Sequence, residues 1–129
     1  MSDLVLGVDC STTASKVIAW DRHGKALAEG RALLREIRPR PLYSEQAAEG
    51  WWDATAEALA NLMKSITSDH IVGLCITHQR ESYAPVDENN HSLRNAICGT
   101  TGVRRSSWTS WASASAMRSC IAARDADLH

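Results

Sequence analysis

Leu4-Val-Leu-Gly-Val-Asp9-Cys-Ser-Thr-Thr13-Ala-Ser-Lys16-Val-Ile-Ala-Trp20 is the stretch that decides how this chain folds. Its two apolar runs, Leu4–Val8 and Val17–Trp20, are rich in β-branched residues and predict strands. A short turn of hydroxyl residues, opened by an aspartate, separates them, so the strands return on each other as a hairpin. Such a turn presents backbone N–H groups and hydroxyls at one end of a sheet. It suits a polyphosphate: the amides and the hydroxyls of Ser11, Thr12 and Thr13 donate, Lys16 adds a point charge, and Asp9 holds a hydrated Mg²⁺. The same residues equally suit a surface hairpin whose Asp and Thr side chains satisfy neighbouring backbone groups. On this stretch alone both readings stay open.

Outward from it, Asp21-Arg-His-Gly24 is a turn signal and Lys25–Leu34 alternates as a third strand, giving an antiparallel meander. Arg35–Leu42 is basic and carries Pro39 and Pro41, which predicts an extended connection. In Glu49–Ile66, residues Trp52, Ala56, Leu59, Ala60, Met63 and Ile66 recur at helical intervals. That pattern predicts an amphipathic helix with Trp51 and Trp52 packed into the core against the sheet. Ile71-Val-Gly-Leu-Cys-Ile-Thr77 is a continuous apolar run, the mark of a buried central strand. Its carboxyl end carries His78-Gln79-Arg80-Glu81-Ser82, where open α/β sheets place ligands. Ser82–Val86 predicts a further short strand, and Asp87-Glu-Asn-Asn-His91 a polar turn. The order is that of an α/β domain: meander, helix, parallel strand.

The chain has 129 residues, 44% hydrophobic, with a formal net charge of −1. It is long enough for one domain with a core, and no basic field points to nucleic acid or an anionic membrane. Cys10, Cys75, Cys98 and Cys120 have neither CxxC nor zinc spacing, and the five histidines show no metal pattern. Cys10 reads as a small packed side chain and not a nucleophile, since no His/Asp partner is evident. No secretory leader or membrane-spanning run is recognisable, so a reduced, cytoplasmic protein is expected.

Arg80 and Glu81, adjacent at a strand end, suit a polyol: the carboxylate accepts from vicinal hydroxyls while the guanidinium donates to others. An isolated Arg-Glu dipeptide is as readily a solvated surface pair. Gly7-x-Asp9-x-Ser11-Thr12-Thr13 followed by Lys16 resembles the first phosphate loop of the FGGY carbohydrate kinases, relatives of actin and the heat-shock chaperones. The resemblance continues in the family's order through Tyr43-Ser-Glu-Gln46, Trp51-Trp52, Ile76-Thr-His-Gln79-Arg80-Glu81-Ser82 and Arg94-Asn-Ala-Ile97, covering residues 4 to 98. It implies a partial ribonuclease-H-like (actin-like ATPase) domain and ATP-dependent transfer of the γ-phosphoryl group to a carbohydrate hydroxyl. By resemblance Ser11, Thr12, Thr13 and Lys16 bind phosphates, Asp9 holds Mg²⁺ through water, and Gln79, Arg80 and Glu81 bind the sugar or polyol. The Arg-Glu pair resembles glycerol-kinase-like members, since typical xylulokinases carry Met-His there. Tyr43-Ser-Glu-Gln46 and the Trp pair look like the xylulokinase branch, so the substrate stays open between the two. The family's catalytic base lies in a later Asp-x-Gly segment, which makes this chain inactive by itself.

From Gly99 to His129 Ala, Ser and Arg dominate, no acidic residue occurs before Asp125, and no period is sustained. The family places a Trp-x-Asp-x-Arg motif and an acidic helix here. With codons GGC-ACG-ACT-GGC-GTG for Gly99 to Val103, reading from the third base gives His-Asp-Trp-Arg, then Ala. Residues 99–129 are therefore expected to be an out-of-frame, irregular tail behind residues 1–98, the first part of the kinase's domain I. Two other functions fit less well. One is a non-catalytic actin-like module that binds a partner through its sheet edge. The other, a nucleotidase-like phosphatase, needs a second Asp motif that the chain does not show.

Overall fold

Strict alternation builds the first sheet. The computed structural model describes residues 3–101. Along β1 (Leu4–Cys10), β2 (Ala14–Asp21) and β3 (Ala26–Leu33), the side chains of Leu4, Leu6, Val8, Val17, Ala19 and Ala32 are buried. These strands form an antiparallel meander, with Val8 opposite Val17 and Val17 opposite Gly30. After the connection come a two-residue strand β4 (Glu45–Gln46), helix α1 (Glu49–Leu62), a single 3₁₀ turn and β5 (Ile71–His78). β5 lies parallel to β1, so the sheet order is β3-β2-β1-β5, and β6 (Ala96–Ile97) pairs antiparallel with β4. The expected succession of meander, helix and parallel strand is the observed one.

The turn between β2 and β3 is closed by Asp21. Its Oδ1 accepts the N–H groups of His23 and Lys25 at 2.8 and 2.9 Å, while Gly24 takes φ +77°. Asp87 does the same for Asn89 and His91 in the predicted polar turn.

The helix presents only part of the face its large residues predict: Leu59 and Ile66 pack against the core, Trp52 and Met63 do not. Ala54, Ala58 and Leu62 are buried against the sheet, whereas Trp52 is 70% exposed and Met63 borders on solvent. The reason is the distance of approach. A Cβ built on Gly30 would lie 2.0 Å from the Ala58 carbonyl oxygen and 2.6 Å from the Leu62 nitrogen, so α1 rests on the backbone of β3. Ala54 and Ala58 fit under such a helix, Leu62 fills the space at its end, and Trp52 is displaced to solvent.

β5 also departs from expectation. It is the edge of the sheet, with Val72, Leu74 and Ile76 at 63%, 50% and 59% exposure. Leu74 and Ile76 are in register with the buried Leu6 and Val8, on the side that α1 covers. But α1 lies over β2 and β3 and reaches only the rim of β1, so among the described residues nothing covers the apolar run. Ser82–Val86 is not a strand: Tyr83 and Val86 make isolated bridges to Ile97 and Ser92, with Pro85 interrupting any ladder. Among the described residues no helix is long and apolar enough to cross a membrane.

Candidate functional site

The turn between β1 and β2 is closed by Ser11, whose N–H and hydroxyl both donate to the Ala14 carbonyl at 3.0 and 2.9 Å. The N–H groups of Thr12 and Thr13 have no acceptor among the described residues, which leaves them open to water or a ligand. Asp9, exposed at the end of β1, makes no ion pair among the described residues; its register partners are Lys16 and Thr77. Lys16 is turned elsewhere, its Nζ 3.1 Å from Glu29 Oε2, in a pair about half open to solvent. Such a pair is weak enough for an anion to compete for the ammonium.

The end of β5 is stitched to the same sheet end: the Gln79 N–H donates to the Cys10 carbonyl at 2.9 Å. Arg80 and Glu81 follow, both exposed and joined by no ion pair, with Glu81 in the left-handed region at φ +59°. Gly99 packs under them. A Cβ there would be 2.8 Å from the Arg80 carbonyl oxygen, and its N–H donates to Ser82 Oγ at 3.2 Å.

Between the two loops stands Gln46, 1% exposed. Its Nε2 donates to the Thr12 carbonyl at 2.6 Å, and its Oε1 accepts from Trp51 Nε1 at 2.9 Å and from Gln79 Nε2 at 3.0 Å. Trp51 is therefore a half-buried polar anchor outside the core cluster, and Trp52 faces solvent, so neither is the core filler their apolar character predicts. The Thr55 hydroxyl extends the network, donating to the Trp51 carbonyl at 2.7 Å and meeting Ser15 Oγ at 3.0 Å. Gln79 Oε1 is shielded and has no donor among the described residues, so a water or a ligand hydroxyl is the partner it lacks.

Glu45, next to Gln46 and 8% exposed, ties down the other side. Its Oε1 lies 2.7 Å from Arg94 Nη2, and Oε2 accepts from Asn95 at 3.3 Å. Ser44 clasps Thr101: its N–H donates to the Thr101 hydroxyl, which donates to the Ser44 carbonyl at 2.8 Å. The Ser44 hydroxyl and then Arg38 hold the Glu36 carboxyl below its usual range, and burial pushes the Cys98 thiol up. Among the described residues no three His, Cys, Asp or Glu side chains converge as a metal cage. A lone Asp9 carboxylate beside free amides fits a hydrated Mg²⁺ carried by a polyphosphate.

The sequence reading missed Gln46, Trp51, Glu45 and Gly99 as parts of this site. No period marks them; Tyr43-Ser-Glu-Gln46 and Trp51-Trp52 stand out by resemblance, but without any role in the site.

The FGGY family of carbohydrate kinases, N-terminal domain, matches residues 4–118. The chain belongs to that family. A xylulose kinase of Staphylococcus epidermidis is 35% identical over 99 residues, covering 75% of this chain and 20% of the relative. A glycerol kinase of Ligilactobacillus salivarius is 34% identical over 101 residues, again 75% and 20%. Among solved structures, the xylulose kinase of Rhodospirillum rubrum superposes with a TM-score of 0.74 at 23% identity, covering 80% of this chain and 22% of that one. The FGGY chain thus has the mixed α/β sheet of the actin-like ATPase fold and spans about a fifth of the length of these relatives. Its family match continues past Gly99, and most of residues 99–129 lie outside the described residues.

Proposed function

We propose that this chain is the N-terminal part of an ATP-dependent carbohydrate kinase that moves the γ-phosphoryl group of Mg-ATP to a hydroxyl of a sugar or polyol. One observation carries the reading: the Ser11-Thr12-Thr13 turn and Gln79-Arg80-Glu81 meet at one sheet end, joined by Cys10, Gln46 and Gln79. Bound ATP supplies the transferable phosphoryl group. The free N–H groups and hydroxyls of Thr12 and Thr13 cradle phosphate oxygens, Lys16 adds charge on leaving Glu29, and Asp9 holds water on the metal. Gln79, Arg80 and Glu81 take the hydroxyls of a xylulokinase-like or glycerol-kinase-like substrate, with Arg80 and Glu81 both free to turn towards it. Catalysis of this kind is positioning and charge stabilisation. The proton acceptor comes from outside these residues, so the chain alone turns over no substrate, and the unpaired thiols of Cys10, Cys75 and Cys98 suit the cytoplasm.

The test is a phosphorylation screen over polyols and ketoses with Mg-ATP, applied to this chain and to the longer product of its gene. Turnover by the longer product alone supports the proposal; no turnover of any carbohydrate by either refutes it. We infer further that residues 99–129 are read out of frame. Sequencing the gene across codon 98 and past the stop decides this: a second frame giving His-Asp-Trp-Arg and a long kinase continuation supports it. The clasp of Thr101 on Ser44 and a family match that runs to residue 118 weigh on the other side. The open edge of β5 favours one alternative, a non-catalytic module that recruits a partner by strand addition.

A further inference from the structure

Among the described residues, the Gln46 side chain bonds both loops of the site. Partners of single polarity fix its orientation. The Trp51 indole N–H can only donate and the Thr12 carbonyl can only accept, so Oε1 faces Trp51 and Nε2 faces Thr12. Gln79 is then oriented in turn, because only its Nε2 can satisfy Gln46 Oε1. At 1% exposure Gln46 cannot exchange these bonds for water.

The bond to Thr12 has a consequence across the peptide plane. In a trans peptide the carbonyl of one residue and the N–H of the next point in opposite directions. The peptide between Thr12 and Thr13 is trans, so drawing the Thr12 carbonyl inward to Gln46 turns the Thr13 N–H away from it. That N–H has no acceptor among the described residues.

We propose that Gln46 is a positioning residue that aims the Thr13 N–H at a phosphate oxygen and, through Gln79, holds the substrate end of β5 at one distance from it. The proposal deepens the kinase reading and rests on it for the identity of the two ligands. The linkage itself is a property of this chain.

The test is amide hydrogen exchange by NMR on the whole 129-residue chain. Ser11 and Leu34 N–H, bonded to Ala14 and Thr13, report on the turn; Gln79 N–H, bonded to Cys10, reports on the end of β5. Asp21 N–H and Met63 N–H, bonded to Lys25 and Leu59, are controls away from the network. Gln46→Met is expected to lower protection at all three reporters by roughly fivefold or more, the effect of one lost hydrogen bond, with the controls unchanged. Gln46→Glu is expected to restore protection at acid pH, where its carboxyl O–H donates to Thr12, and to lose it once the carboxyl ionises. A side chain that only fills space shows no such pH dependence. Gln79→Met, milder for the fold, is expected to lower protection at Gln79 alone.

Equal loss at reporters and controls, or no loss at the reporters, overturns the proposal, as does a Gln46→Glu protein indifferent to pH. Magnesium and inorganic triphosphate are the ligand probe. In wild type they are expected to shift the Thr13 N–H resonance, and in Gln46→Met to leave it unmoved. No shift in wild type counts against phosphate binding, hence against the kinase reading, and the exchange data still judge the linkage.

Discussion

At the scale of single residues, two positions are held by forces that can be switched. Leu42 sits in the left-handed region at φ +68° and is 71% exposed. Its side chain therefore carries the steric penalty of that conformation with little burial in return. Leu42→Gly is expected to raise stability by about 0.5–1 kcal/mol, seen as a higher urea midpoint at unchanged slope. Asp21 is the second. The N–H of Lys25 foremost, then that of His23, stabilises its carboxylate and lowers its pKa from the ordinary aspartate value of 3.8. A folded pKa below the unfolded one stabilises the native state fully above pH 3.8, and the contribution fades as pH falls through the folded value. Wild type is thus expected to be more stable than Asp21→Asn at neutral pH, with the gap narrowing below pH 3.8 in denaturation curves. Both positions were partly legible: Asp21-Arg-His-Gly24 announces its turn, whereas nothing in Arg40-Pro-Leu42-Tyr marks a leucine with positive φ.

At the scale of elements, the contact between α1 and β3 is a backbone-on-backbone approach. It depends on Gly30, where any Cβ would enter the helix backbone at 2.0 Å from the Ala58 oxygen. Backbone cannot turn aside as a side chain can, so Gly30→Ala must lift the helix from the sheet. The expected loss is about 3 kcal/mol or more, measured by thermal or urea unfolding. Trp52→Gln, on the opposite side of the same helix, is expected to change stability by no more than about 0.5 kcal/mol. The existence of the helix and of all four long strands followed from period and β-branching. The helix face followed only in part: Leu59 and Ile66 pack inward as expected, but Gly30 on another strand sets Ala58 at the closest approach and leaves Trp52 outside. Likewise Ser11, Thr12, Thr13 and Arg80-Glu81 could be picked out from residue type. Gln46 could not, since its role comes from bringing Thr12 and Gln79 together across distant parts of the sequence.

At the scale of the whole molecule, the sheet is asymmetric. Among the described residues one edge strand, β3, has the cover of α1; the other, β5, presents a row of backbone groups flanked by exposed Val72, Leu74 and Ile76. Among the described residues β5 is an apolar, uncharged edge, irregular only at Val72, and such an edge is a template for another strand; no proline or charge interrupts Ile71–Thr77. The run Val-Gly-Leu-Cys-Ile has the β-propensity and neutrality of segments that associate. Elsewhere on the surface such pairing is opposed: β3 carries Glu29 and Arg31, and the helix flank is charged. The chain is therefore expected to self-associate through β5 as its concentration rises, without unfolding first. Ile76→Lys is the sharp probe, because Ile76 is 59% exposed and paired in register with Val8, so a lysine stem can lie along the sheet while its ammonium reaches water. Light scattering of the two proteins at matched concentration should show association in wild type and its suppression in Ile76→Lys, with the far-UV spectrum unchanged. Equal association of both would place the sticky surface elsewhere. The same variant separates two origins of the open edge, since a β5 surface that receives a protein partner loses that partner on Ile76→Lys, whereas a merely uncovered one gains solubility and loses nothing.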